Sequence, residues 1–94
     1  MATQIEPAKE RPLGYEQVTG LSAAKGLTTP AGARYARISC TVQAVRWRDD
    51  GTAPNATTGM RLPVDKEMIY AGPLESLQFI EESASAVLNV SFYG

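Results

Sequence analysis

The 94-residue chain has no histidine, a single cysteine and no long apolar run. Without histidine it lacks the commonest general base, proton shuttle and metal ligand. A Ser-His-Asp or Cys-His arrangement is therefore excluded. Cys40 alone cannot close an intrachain disulfide, and it offers one zinc ligand where four are needed. It falls on the apolar side of its segment, which reads as a buried, inert thiol. No apolar stretch approaches the roughly 18–20 residues that span a bilayer. The first twelve residues are polar, contain Pro7 and Pro12, and do not read as a secretory signal. The expectation is a chain made and folded in a cytoplasm with no membrane partner.

Charge of one sign is also missing. Nine Lys and Arg stand against ten Asp and Glu, a net charge of −1. The basic residues Arg34, Arg37, Arg46, Arg48 and Arg61 form no run, which argues against nucleic acid as a partner. Neither GxxxxGK nor GxGxxG occurs, so no phosphate loop is expected. Asp49-Asp50 lacks the spaced acidic pattern of a calcium loop and reads as turn chemistry. Glu81-Glu82 reads as two carboxylates on opposite faces of a strand, not as a glycosidase dyad. Asn55-Ala56-Thr57 and Asn89-Val90-Ser91 match the glycosylation acceptor pattern by chance, given no secretory signal. No catalytic residue, cofactor or metal ligand is expected.

What is present is alternation between turn signals. Met1–Pro12, with two prolines, mixed charge and Ile5, reads as an extended arm that stays loose or orders on a neighbour. Residues 13–94 read as one β domain. Leu13–Thr19 is a possible first strand and Ser22–Thr28 a second, interrupted by Gly26. Thr29-Pro30-Ala31-Gly32 is a turn. Arg34–Gln43 is the clearest strand: Ala36, Ile38, Cys40 and Val42 share one face, and Tyr35, Arg37, Ser39, Thr41 and Gln43 the other.

The apolar parity then switches, with Val45 and Trp47 apolar and Arg46 and Arg48 charged. A β-bulge or a sheet-crossing bend near Gln43-Ala44 accounts for this. Asp50-Gly51 is a hairpin-turn signal, followed by a small-residue loop over Ala53–Thr58. Gly59–Val64, with Met60, Leu62 and Val64 in phase, is a strand that Pro63 makes short or an edge. Lys66–Ala71 follows, then the Gly72-Pro73 turn. Leu77, Ile80 and Ala84 have helical spacing, but the alternation through Gln78 and Phe79 favours a strand over Ser76–Ile80. Ala86–Tyr93 closes the chain with Ala86, Leu88, Val90 and Phe92 on one face. About seven short strands at such spacing predict an all-β chain, a compact antiparallel β-sandwich or small barrel. A chain of this size buries only roughly 60–65% of its unfolded surface, so assembly would help it.

Arg46-Trp47-Arg48 has two readings. An aromatic between two cations can stack on a base or a sugar. On a strand, however, Trp47 points inward as a core anchor, and the arginines point outward to pair with acidic groups of the same sheet or a partner.

The block Val45-Arg46-Trp47-Arg48-Asp49-Asp50-Gly51-Thr52-Ala53-Pro54, with Ala56-Thr57-Thr58-Gly59-Met60 after it, resembles a group of small virion proteins of tailed bacteriophages. Their ending is matched by Gly72, Leu74, Leu77, Phe79, Ile80, Ala86, Leu88, Asn89, Val90, Ser91, Phe92 and Tyr93. Thr29-Pro30-Ala31-Gly32-Ala33 fits as well, so the likeness runs from about Leu27 to Tyr93. Ser39-Cys40-Thr41 departs from the more acidic or amide-rich strand of that group, and residues 1–12 lie outside the match.

The resemblance implies a virion structural protein without enzymatic activity: a capsid decoration or cement protein that binds the major capsid protein and stabilises the head. The alternative is a tail, neck or baseplate component acting as a binding module for carbohydrate, with Tyr15, Tyr35, Tyr70 and Tyr93 as the aromatics. The expected partner contacts are Ile5, Pro7, Arg11 and Pro12 of the arm and the outward Tyr35 and Arg37. Trp47, Asp50 and Gly51 are expected to be architectural. A homo-oligomer on the capsid, trimer or dimer, is the expected assembly.

Overall fold

The computed structural model describes residues 11–94. Seven strands follow one another: β1 (Pro12–Val18), β2 (Tyr35–Thr41), β3 (Val45–Arg48), β4 (Met60–Leu62), β5 (Glu67–Ala71), β6 (Gln78–Glu81) and β7 (Val87–Tyr93). A 3-10 turn, Leu74–Ser76, precedes β6. The strands form an antiparallel four-stranded sheet in the order β1-β7-β2-β5 and an antiparallel three-stranded sheet in the order β4-β3-β6. The chain is a small all-β sandwich, as its alternation predicts. β1 opens at Pro12, so the strand takes in the last residue assigned to the arm. Among the described residues no helix is long and apolar enough to cross a membrane.

The centre of the four-stranded sheet follows from period-two alternation in β2 and β7. Ala36, Ile38 and Cys40 of β2 sit directly opposite Phe92, Val90 and Leu88 of β7, and all six are buried. Gly14 of β1 lies opposite Phe92 on its other side, so the large ring stands between two small neighbours. Val45, Leu62 and Phe79 cover this layer from the second sheet, and Leu21, Leu74 and Leu77 of the connections complete one contiguous core. Phe79 and Phe92 are its largest fully buried side chains.

The parity switch after β2 is a crossing between sheets. Thr41 ends the strand in the first sheet and Val45 begins the next in the second. Between them Val42 has φ 73°, and Gln43 N–H donates to the Thr41 carbonyl at 2.9 Å. That bond closes a three-residue γ-turn of the positive-φ kind. Val42 therefore does not continue the buried row of Ala36, Ile38 and Cys40; it points out and is 64% exposed. A second crossing, β4 to β5, lies beside the first. Asp65 there has φ 63°, and its N–H donates to the Cys40 carbonyl at 2.8 Å, which ties the two bends together.

Two further expectations are corrected. Ser22–Thr28 is no strand: only Lys25 pairs, in one isolated bridge with Phe79. Leu21 is buried and anchors this segment across the side of β6, where Leu21 O accepts from Glu81 N–H. Met60 and Val64 are exposed although in phase with buried Leu62. Pro63 stops β4 after three residues, and the Lys66 N–H to Pro63 carbonyl bond places Val64 at the tip of a turn. Asp50-Gly51 turns the chain as expected, between β3 and its antiparallel partner β4. Gly51 takes φ 86° and bends the chain out of β3, and the connection runs on through an Asn55–Thr58 bridge before β4 begins.

A β-branched residue at positive φ is strained by roughly 1–2 kcal/mol, and glycine is not. Val42→Gly removes that strain and little packing, at some gain in unfolded-chain entropy. The variant is expected to be more stable by about 0.5–1 kcal/mol, read as a higher urea midpoint at unchanged slope. A lower midpoint would mean the γ-turn is not a strained element.

Candidate partner-binding face

The outer surface of the four-stranded sheet is assembled by register. Tyr15 and Gln17 of β1 lie opposite Ser91 and Asn89 of β7. Tyr93, Ser91 and Asn89 lie opposite Tyr35, Arg37 and Ser39 of β2. Those three in turn lie opposite Ala71, Ile69 and Glu67 of β5. Because period two sends alternate residues outward, four strands distant in sequence lay their polar and aromatic side chains on one surface.

Cross-strand bonds order this surface. Tyr35 and Tyr93 stack with ring centroids 5.2 Å apart and planes 12° from parallel. Tyr15 Oη donates to Asn89 Oδ1 at 2.7 Å, and Gln17 Nε2 donates to the same oxygen at 3.1 Å. The Ser91 hydroxyl lies 3.3 Å from Tyr93 Oη. Arg37 Nη1 meets Glu67 Oε1 at 3.3 Å, an exposed pair of small energetic weight. Tyr15 and Ile69 stay more than half exposed, at 64% and 59%. The face combines ordered aromatics, one guanidinium and an uncovered isoleucine, which suits contact with a protein surface.

Tyr35 and Arg37 are thus on one face, as their alternation implied. Arg11 and Pro12 are exposed at the end of the sheet that carries the tyrosine stack: Arg11 exchanges backbone bonds with Gly94, and Pro12 pairs with Tyr93. Ile5 and Pro7 lie outside the described residues. Tyr70 does not belong to the face. It is half-buried beneath it, edge-on to Trp47 at 6.0 Å, and its hydroxyl donates to Asp49 Oδ2 at 2.8 Å. Burial, then the bond to Asp49, raises its pKa. Ile69 and Asn89 are members that sequence reasoning did not single out. In Met68-Ile69-Tyr70 three apolar residues run together, so no periodicity says which one faces out.

The outer surface of the three-stranded sheet carries the arginines of the Trp47 block. Glu82 accepts from Arg46 Nε at 2.8 Å and from Arg61 Nε at 2.9 Å, while Arg46 Nη1 also donates to the Gly59 carbonyl at 3.1 Å. Arg48 pairs with Asp50, whose carboxylate also receives the Thr52 N–H. These arginines are held by acidic groups of their own sheet and loop. Trp47 packs against the core while remaining partly exposed, an anchoring role shared with Tyr70. Cys40 is buried with Sγ 3.3 Å from the Pro63 carbonyl oxygen, and burial pushes its thiol pKa up.

A shallow cleft of about 180 Å³ lies between Thr19, Ser22, Glu81 and Ser85. It is smaller than the roughly 300–1,000 Å³ of a typical small-molecule site. Among the described residues no three His, Cys, Asp or Glu side chains come together as a metal site.

The Arg61 side chain, then that of Arg46, holds the Glu82 carboxyl below its ordinary range. A depressed folded-state pKa stabilises the fold above the unfolded carboxylate value of about 4.3, and that stability disappears as pH falls through the folded value. Glu82→Gln is therefore expected to cost about 1 kcal/mol near neutral pH and to converge on the parent as pH falls through the lowered folded-state value. Urea midpoints measured across that range test it; a gap that does not change with pH would mean the carboxylate charge contributes nothing.

No family model, curated protein or solved structure matches the chain, so what it does is carried by its own residues.

Proposed function

We propose that the chain is a non-enzymatic virion structural protein: a capsid decoration or cement protein that binds the major capsid protein and stabilises the shell. The observation that carries this reading is the ordered, uncovered outer face of the four-stranded sheet, with Tyr35 and Arg37 at its centre. Its contacts are cross-strand pairs that need no partner to form, so the surface is rigid before docking and little is lost in ordering it. The Trp47-centred block adds its resemblance to small phage virion proteins. The other large surface has its arginines taken up internally by Glu82 and Asp50, which leaves it the poorer docking face.

On this reading the arm works with the face. The chain enters β1 at Arg11, beside the Tyr35–Tyr93 stack, so Arg11 and Pro12 lie where a shell contacting those rings would lie. Binding to a repeating lattice supplies burial that a chain of this size lacks on its own.

Three tyrosines on one face also favour a second reading, a carbohydrate-binding module of a tail, neck or baseplate. In that case Tyr35→Ala abolishes binding to host-surface glycan, and unchanged binding rejects the site.

The deciding experiment mixes purified protein with expanded capsids and images the particles. Decoration is expected at a fixed symmetric ratio to the capsid subunits. Arg37→Glu, Tyr35→Ala and removal of residues 1–10 are each expected to weaken it by about tenfold or more, the loss of one good interface contact. Copies confined to the tail, or no binding to capsids at all, would overturn the reading.

A further inference from the structure

The four outer strands of the sandwich are not treated alike. An unpaired strand edge is a template for another strand, and folded proteins usually blunt it with prolines, bulges, inward charges, brevity or a covering segment. β1 begins with Pro12, has a register break between Pro12 and Gly14, and turns Glu16 toward the inner side, where it accepts the Thr28 N–H. β4 is three residues long and stops at Pro63. β6 is covered: Leu21 O accepts from Glu81 N–H, and Lys25 bridges Phe79 in both directions. β5 has none of these devices. It is a regular five-residue strand, in unbroken register with β2 and free of proline and glycine. Among the described residues its backbone bonds to nothing but β2.

We propose that β5 is a dimerisation edge, pairing antiparallel with β5 of a second copy about a two-fold axis at Ile69. The strand is self-complementary in that register. Ile69 meets its own counterpart, which covers two side chains that are each 59% exposed. On the inner side Met68 meets Tyr70 of the other copy, a thioether against an aromatic ring. Glu67 meets Ala71, so the two acidic residues stand at opposite ends of the pair and no like charges face each other. A one-residue shift of the axis, onto Met68, puts Glu67 against Ile69 and loses this match.

A second copy is a better occupant than this chain's own first ten residues. The described chain enters the sheet at β1, the opposite edge from β5, and residues 1–10 include Glu6, Pro7, Lys9 and Glu10, a composition poorly suited to extending a sheet. The two-fold stands perpendicular to the sheet, so the product is one continuous eight-stranded sheet with both tyrosine faces on the same side. A five-residue edge is about 17 Å long, which makes the dimer a small, reversible one of the micromolar class.

Sedimentation of the full chain over about 10 μM to 1 mM tests this without any capsid present, so it is independent of the decoration reading. A monomer–dimer equilibrium is expected. Ile69→Lys, which sets two ammonium groups against each other, is expected to weaken it at least about tenfold while the circular dichroism stays that of the parent. Ile69→Cys keeps the test decisive if that variant unfolds: under mild oxidation it is expected to give a covalent dimer through the introduced thiol, since Cys40 is buried. A monomer at every concentration overturns the proposal. So does a folded Ile69→Lys chain that dimerises as well as the parent, a failure of Ile69→Cys to cross-link, or a dimer that disappears when only residues 1–10 are removed.

Discussion

The ladder between β2 and β7 is the constraint on which the rest of the structure depends. It joins residues about fifty positions apart through seven consecutive partners. Its inner side supplies six of the buried side chains, and its outer side supplies Tyr35, Arg37, Asn89, Ser91 and Tyr93. The period of two welds these roles together. A slip of β7 by one residue would expose Phe92 and Leu88 and bury Asn89 and Ser91, so burial of the apolar row fixes the register and with it the outer surface. Core and candidate face are two readings of one pairing. The packing of Phe92 between Gly14 and Ala36 sharpens it further, because a neighbouring register would place a large side chain beside the ring.

From that ladder the first two of the four crossings between sheets follow. A core layer needs a second sheet, and the chain reaches it by leaving β2 at Thr41 and returning through Asp65. Both bends use a non-glycine residue at positive φ, an arrangement that persists only where the surroundings demand it. Here the demand comes from the buried residues on each side: Cys40 must stay in the first sheet and Val45 must enter the second. The bond from Asp65 N–H to the Cys40 carbonyl lets each bend brace the other.

Much of this was legible in the sequence wherever alternation was strict. β2 and β7 read directly as strands, their buried residues read as one face, and Tyr35 and Arg37 read as outward. The parity change at Gln43-Ala44 announced a discontinuity, but parity alone cannot separate a bulge from a crossing, because both advance the pattern by one residue. Ser22–Thr28 misled because its spacing suits a strand while its small side chains lack the packing that would hold one. Asp50-Gly51 marked a real turn, and the loop after it ended within one residue of where the small residues stop. Ile69 was hidden inside an apolar triplet. The pairing of Glu82 with Arg46 and Arg61 depends on which strands become neighbours, and no local pattern carries that.

The contrast between the two outer surfaces is the last step in locating function. Arg46 and Arg48 flank Trp47 along the chain, and pairing of β3 with β4 brings Arg61 beside Arg46 on the same surface. Folding brings Glu82 between two of them and Asp50 beside the third, so the surface satisfies itself and Trp47 is drawn toward the core. The four-stranded sheet does the opposite. Its polar groups bond to one another in ways that hold the tyrosine rings in place and leave Tyr15 and Ile69 uncovered. A surface of ordered rings with unburied apolar area still has free energy to gain from a partner; a surface of closed ion pairs has to break contacts before it can make new ones. That difference is why the most distinctive stretch of the sequence satisfies itself within the fold and the plainer strands β1, β2, β5 and β7 carry the proposed contact face.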